Sequence, residues 1–405
     1  MNKKIPLGIA IGLMALAAAA TFIITYNYSM KVFNATVKSV SEKEGVYTKL
    51  SEMDKYVREN YVGDIDEDAL INSIMKGYVR GLNDPYAEYY TAAEYAELSR
   101  RDEGVTVGLG FTWDKEESGY IKVISVTDGS SAANAGLSSG DIITAVNNTD
   151  VIAYENGYDE AVALLNCAEG TKVKLHIKRT NAEGLTEFFS VDVVSEKTEI
   201  VSVTGRLIDT TAYIKISAFN DRTAEQFRNV LNGLIEQGAE ALIFDVRNNG
   251  GGLVDSLGET LNCIIGDKDV VTAYFANSQE VVVRTTEAEK IVMPMTVIVN
   301  GGTASSAELF AFALRDECNA QIVGTSSYGK GVMQYTHKLT GGAAVRITVA
   351  TLQTSNSGDY NGIGIKPNFD VSLPAEVDIS TLTEEEQLAQ DTQLIKAIEV
   401  VQTIK

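Results

Sequence analysis

Three short stretches of this chain gather residue types that can move protons or stabilise developing charge. The first is Gly301-Gly302-Thr303-Ala304-Ser305-Ser306-Ala307-Glu308. Ser305-x-x-Glu308 is a capping box, in which a serine hydroxyl accepts a backbone amide at a helix start and the glutamate reaches back. The same place suits a nucleophile, because unpaired amides and the positive dipole end of a helix stabilise an alkoxide or oxyanion. The second is Tyr328-Gly329-Lys330-Gly331-Val332. Lysine serves as a base near neutral pH only when desolvation lowers its pKa, and flanking glycines let the backbone carry it into a crowded pocket. Its plainer reading is a turn residue in water. The third is Asp245-Val246-Arg247-Asn248-Asn249-Gly250-Gly251-Gly252, whose glycines free amides that can hold a phosphate or an oxyanion. It fits neither G-x-G-x-x-G nor the Walker pattern, which disfavours a nucleotide.

Histidine chemistry has little to work with. The chain has only His176 and His337. His176 alternates with Lys172, Lys174 and Lys178 along a strand whose other face is Val173, Leu175 and Ile177, which places it on a solvated side. His337, between Thr336 and Lys338, reads as a surface residue, and a histidine-dependent hydrolase built on it ranks low. Two histidines without a carboxylate at ligand spacing indicate no metal, and nothing calls for a cofactor. Cys167, Cys263 and Cys318 stand singly, with no CxxC pair or disulfide framework. A net charge of -21 with no Lys/Arg cluster argues against a nucleic-acid partner.

The elements that must position these residues follow from periodicity. With 45% hydrophobic and 22% charged residues in 405, the chain should fold, as two or three units. Val46, Leu50, Met53 and Val57, then Leu70 to Val79, recur at helical spacing before the turn Asn83-Asp84-Pro85. From about Gly104 to Val194, short alternating runs between Gly, Ser, Asn and Asp clusters predict a mostly β module, with one helix near Tyr158 to Leu165. From about Val201 onward strands and helices alternate: Tyr213 to Ala218, a helix through Phe227 and Leu231, Ala241 to Phe244, Leu253 to Ile265, Val297 to Val299, Ala307 to Leu314, and Gln321 to Val323. That pattern predicts an α/β layer fold. Asp378 to Lys405 reads as an appended polar helix.

Lys3 and Lys4 precede a chargeless stretch from Ile5 to Thr25, about 30 Å long as a helix. It predicts a retained membrane anchor with the lysines inside and the remainder extracytoplasmic, on a single-pass protein of the cell membrane. The competing reading is a signal peptide cleaved near Ala15 to Ala20, which would leave a secreted protein.

These residues resemble the carboxyl-terminal processing, or tail-specific, serine proteases, which join a PDZ domain to a Ser/Lys protease core. The family's V-N followed by G-S/T-A-S-x-x-E is similar to Val299-Asn300 through Glu308. Its F-G-K-G-x-x-Q is similar to Tyr328 through Gln334, its D-L-R-N-N-P-G-G to Asp245 through Gly252, and its G-x-G-I-x-P to Gly362 through Pro367. Leu82-Asn83-Asp84-Pro85-Tyr86 resembles the L-D-P-Y turn. Gly108-Leu109-Gly110-Phe111, with Ala135-Gly136-Leu137 and Gly140 to Ile143, resembles a PDZ carboxylate-binding loop and its later signature. Gly250, Tyr328 and Ser306 depart from the family pattern.

The resemblance implies an α/β multidomain protein: 1–28 an anchor or signal segment, 29–103 an N-terminal helical region, 104–195 a PDZ-like β module, 196–375 a crotonase/ClpP-like serine protease core, and 376–405 a C-terminal helical tail. It implies Ser305 as nucleophile, Lys330 as base, Gln334 as the residue orienting that base, and amides of Gly251 and Ser306 as the oxyanion hole. Gly108, Leu109, Gly110 and Phe111 would hold the terminal carboxylate of a protein or peptide substrate, and a homodimer is implied. Fully extended, Gln334 would lie about 13 Å from Lys330, so a bend at Gly331 is needed. Asp316 reads as structural. A catalytically silent PDZ scaffold is the other functional reading.

Overall fold

The computed structural model describes residues 7–181, 183–285, 290–354, 356–379 and 381–404. The chain divides into two compact units, Met1–Ser73 and Ile74–Lys405. The first holds the helix Leu7–Asn60 and the start of the helix Glu67–Arg80. Among the described residues no helix is long and apolar enough to cross a membrane. The membrane anchor expected at Ile5 to Thr25 is therefore withdrawn, and with it the single-pass, extracytoplasmic placement. Leu7–Asn60 continues without a break for 54 residues, well past the chargeless stretch and through Lys31, Lys49 and Glu52. Residues 1–6 lie outside the described residues.

In the second unit the β module is a sheet in the order Phe111–Lys115, Ile121–Val126, Ile142–Val146, Lys172–Thr180, Thr186–Val194, with Thr149–Asp150 paired to Ile142–Val146. Alternation places Val173, Leu175 and Ile177 in its core with Ile121, Val123, Ile143 and Leu165. The helix Tyr158–Leu165 stands where periodicity predicts it. Val105–Gly108 pairs antiparallel with Glu196–Glu199 and so ties the module's two ends together.

The α/β core follows. Its sheet runs Val203–Ile208, Thr211–Ile216, Ala241–Asp245, Met295–Val299, Gln321–Gly324, Phe369–Asp370, and every pair after the first is parallel. Strands buried on both faces read as continuous apolar runs, and Ala241–Asp245 and Met295–Val299 are buried at every position. Helices Thr223–Glu236, Val254–Asn262 and Ser306–Cys318 pack on one face, where Phe219, Phe227, Phe244 and Phe310 meet ring to ring. A second sheet, not foreseen from periodicity, joins Glu88–Tyr90, Ala344–Thr354, Lys268–Phe275 and Glu280–Thr285, with Val332–Lys338 on Ala344–Thr354.

The C-terminal helix corrects an expectation. Thr392–Thr403 is not an appendage, because Leu394, Ala397 and Val401 are buried against Ala241, Ile243, Ile298 and Val323 on the sheet's other face. The stretch reads as polar only because its apolar residues lie on one stripe.

Candidate active site

The three sequence motifs lie at the carboxyl ends of three adjacent parallel strands. Asp245 to Gly252 follows Ala241–Asp245, Asn300 to Ser305 follows Met295–Val299, and Ser326 to Lys330 follows Gln321–Gly324. Loops at that end of an open α/β sheet form its crevice.

The first two loops are laced together. Asn248 N–H donates to Asn300 Oδ1 at 2.9 Å, Asn300 Nδ2 donates to Asn248 Oδ1 at 2.9 Å, and Thr303 Oγ1 donates to the Val246 carbonyl at 2.8 Å. Ala304 N–H reaches the Asn249 carbonyl at 2.9 Å. Below them, Arg247 is buried with two carboxylates: it meets Asp245 at 2.6 Å and Asp391 at 2.7 Å. Tyr213 Oη donates to Asp245 Oδ2 at 2.6 Å. Burial opposes ionisation of Asp245, but the Arg247 guanidinium outweighs it and holds the carboxyl below its ordinary range.

Ser305 begins the helix Ser306–Cys318 with φ 56° and ψ −123°. An ordinary N-cap adopts extended backbone, and positive φ on a serine costs about 1–3 kcal/mol. The capping-box sequence is present on a strained strand-to-helix turn that holds Ser305 half-buried at the loop surface. Gly251, at φ 100°, fits against that turn: a Cβ there would lie 2.8 Å from the Ala304 carbonyl oxygen and 2.9 Å from Ser305 Cβ. Only glycine permits that approach. Ser306 is fully buried and its hydroxyl donates to the Gly252 carbonyl at 2.9 Å. Gly251 N–H donates to Asn249 Oδ1 at 2.8 Å.

Glu308 is the residue whose reach the sequence understates. Its fully buried carboxylate accepts four hydrogen bonds: from Ser305 N–H at 2.9 Å, Ser327 Oγ at 2.5 Å, Gly329 N–H at 2.7 Å and Lys330 N–H at 2.8 Å. The capping-box spacing reveals only the first. The other three join the serine turn to the lysine loop, which Gly362 N–H, bonded to the Gly329 carbonyl at 2.8 Å, supports from the far side.

Lys330 is half-buried, with Nζ 4.8 Å from the Tyr86 ring centroid. It lines a cleft of about 760 Å³ with Asp84, Tyr86, Lys76 and Arg346. Burial lowers its pKa from the ordinary lysine value, Arg346 adds to that, and Asp84 and Glu308 oppose it. Among the described residues no hydrogen bond joins Lys330 to Ser305. Gln334 sits at a bulge in Val332–Lys338 and donates to Thr348 Oγ1 at 3.2 Å. His337 is exposed on that strand, and His176 bonds Ser190 and Asn148 within the β module. Asp316 binds Arg315 at 3.2 Å and Ser357 near the helix end.

In the β module, Gly108 ends Val105–Gly108, Leu109 and Phe111 are buried, and Gly110 makes the turn with φ 86°. The strand Phe111–Lys115 is at the sheet's edge, and Lys115 Nζ lies 5.2 Å from the Tyr158 ring at the start of the helix beside it.

Three family models match the chain: peptidase family S41 over residues 210–371, the PDZ domain over 99–178, and the activating protease CtpB N-terminal domain over 12–93. The chain is 29% identical over 376 residues to the carboxy-terminal processing protease CtpA of Bacillus subtilis, covering 92% of this chain and 78% of that one. It is 29% identical over 402 residues to a "Probable CtpA-like serine protease" of Staphylococcus aureus, covering 97% and 78%. The solved structure of a "Putative S41 protease" from Bacteroides fragilis matches with a TM-score of 0.51 at 15% identity, covering 85% of this chain and 99% of that one, and supports the fold alone. The chain is a serine-type peptidase with an S41 peptidase domain and a PDZ domain, and it is similar along most of its length to carboxy-terminal processing proteases.

Proposed function

We propose that the chain cleaves protein substrates at or near their C-termini by acyl transfer, with Ser305 as nucleophile and Lys330 as base. The observation that carries this reading is the Glu308 carboxylate, which binds the amide of Ser305 and the amide of Lys330 at once. It ties the position of a strained, half-exposed serine to that of a desolvated lysine. Neutral Lys330 takes the Ser305 proton, the alkoxide attacks the peptide carbonyl, and water resolves the acyl-enzyme. Ser306 is the weaker nucleophile candidate because its hydroxyl is buried and bonded to Gly252.

The Ser306 amide, at the helix start, serves as one oxyanion donor. The Gly251 amide serves as the second once its bond to Asn249 Oδ1 opens on substrate binding. Gln334, on the bulged strand Val332–Lys338 that begins two residues after Lys330, orients that base. The loop Gly108 to Phe111 receives the substrate's terminal carboxylate, and the substrate adds as a strand to Phe111–Lys115 beside the helix Tyr158–Leu165.

The test is cleavage of an unfolded protein with an apolar C-terminus by wild type, Ser305→Ala, Lys330→Ala and His337→Ala. Only wild type and His337→Ala should cut. Cleavage by the Lys330 variant would sink the Ser/Lys pairing, and wild-type inertness toward every tail and pH would favour the silent scaffold.

A further inference from the structure

The turn Asn83 to Tyr86 lies more than two hundred residues upstream of Lys330 in the chain, yet its side chains reach both Lys330 and Ala344–Thr354, the strand paired with the one that carries Gln334. Tyr86 places its ring 4.8 Å from Lys330 Nζ, and its hydroxyl lies close enough to that of Tyr328, two residues before Lys330, for the two to interact electrostatically. Tyr86 is itself fixed by Asp84, whose Oδ1 accepts the Tyr86 amide at 2.9 Å. The other oxygen of Asp84 accepts the Thr348 amide at 3.1 Å. Thr348 in turn accepts the Gln334 side-chain amide at 3.2 Å. The turn is held from the other side by pairing of Glu88–Tyr90 with Ala344–Thr354, where Glu88 faces Arg346.

We propose that Tyr86, anchored by Asp84, is a positioning residue that seats the Lys330 side chain and sets the balance between its charged and neutral forms. The proposal rests on the reading of Lys330 as base. An aromatic face attracts an ammonium and so favours the protonated lysine. The charged groups around Lys330 are Asp84 and Glu308, which favour protonation, and Arg346, which opposes it, with Lys76, Arg80 and Glu88 further along the cleft and the Tyr328 hydroxyl beside Tyr86. Tyr86 thus keeps the ammonium in one place in a desolvated site, at the expense of some neutral population.

Substitution at Tyr86 should move kcat and the pH dependence together. Tyr86→Leu keeps the site dry and removes the π face. We expect kcat to fall about tenfold with KM within about twofold, and the acidic limb of the pH–rate profile to shift down by up to about one pH unit. Tyr86→Trp strengthens the face and should shift the limb up, while Tyr86→Phe should leave it in place. A residue that merely supported the fold would not shift the limb in opposite directions for two aromatic-to-apolar and aromatic-to-aromatic changes. In parallel, Lys330 is titrated by NMR after reductive 13C-methylation, its resonance assigned by its loss in Lys330→Arg. An unmoved Lys330 titration in both Tyr86→Leu and Tyr86→Trp overturns the seat. A moved titration with an unmoved activity limb supports the seat and counts against Lys330 as base. If Tyr86→Leu fails to fold by circular dichroism, the Trp and Phe variants carry the test alone, and identical titrations in the two overturn the seat.

Discussion

The two places where this chain is expected to touch a substrate are built in opposite ways. At the carboxyl ends of the core strands the loops are closed by buried polar networks: Arg247 between Asp245 and Asp391, and Glu308 with four donors on one carboxylate. In the PDZ module the core cluster is apolar with a single ion pair, Asp141 with the partly exposed Arg179, at its margin, and the edge strand Phe111–Lys115 is left at the end of its sheet beside a short helix. Covalent chemistry needs groups fixed to a fraction of an ångström, and fully satisfied buried networks provide that because any partner lost leaves an unpaired polar group behind. Capture of an extended tail needs only backbone edges and a turn with free amides, which can accept many sequences. Damage to the core should therefore appear as lost turnover or lost stability, and damage to the module as lost affinity.

The sharpest way to break that contrast is Glu308→Gln. The amide cannot accept all four bonds, so kcat should fall roughly 100-fold or more, since charge-assisted bonds of about 1.5–3 kcal/mol each are disturbed on both loops. Steady-state kinetics on a folded variant reads this, and a change confined to KM would contradict it. Next in size, Asp391→Asn takes a charge from the buried Arg247 and should cost about 3–5 kcal/mol of stability, measured as a lower urea midpoint at unchanged m. In the module, Gly110→Ala introduces a methyl that would collide with the Ser130 side chain. It should raise KM about tenfold for substrates with a free apolar tail while leaving kcat and cleavage of tail-blocked substrates near wild type. The smallest effect concerns Arg346→Gln. Burial and Arg346 both lower the Lys330 pKa, so removing Arg346 raises it, and the base proposed here must be neutral to work. The acidic limb of kcat/KM should move to higher pH by less than about one unit and activity at neutral pH should drop.

Much of this contrast was legible from the sequence where it depends on local spacing. Alternation in Lys172 to Lys178 separates the module's core face from its solvated face, and the three strand-to-loop motifs appear as apolar runs ending in aspartate, asparagine or glycine. Less was legible where a residue acts across the chain. Glu308 shows its capping partner three residues away, but Gly329 and Lys330 are 21 and 22 residues off and leave no periodic trace. Asp391 sits in a stretch that reads as polar, and only the fold reveals that its carboxylate answers a buried guanidinium. The N-terminal helix departs in the other direction: the run Ile5 to Thr25 lacks charge, but among the described residues no helix is long and apolar enough to cross a membrane. The second sheet escaped notice because Lys268–Phe275 and Ala344–Thr354 find each other only across the domain.

The bond between Arg247 and Asp391 also orders events in time. The two residues are 144 positions apart, so at about 5–20 residues per second the guanidinium is made roughly 7 to 30 s before its second carboxylate. Through that interval the loop bearing Gly251 rests on an arginine that has Asp245 but lacks its second carboxylate, and the sheet lacks the helix that covers one of its faces. A nascent chain therefore cannot assemble its hydrolytic centre early. The contacts of Arg247 with Asp391 and of the sheet with Leu394, Ala397 and Val401 form only once the stretch that carries these residues has been made. Synthesis of the chain stalled before residue 391 should yield no cleavage until elongation resumes.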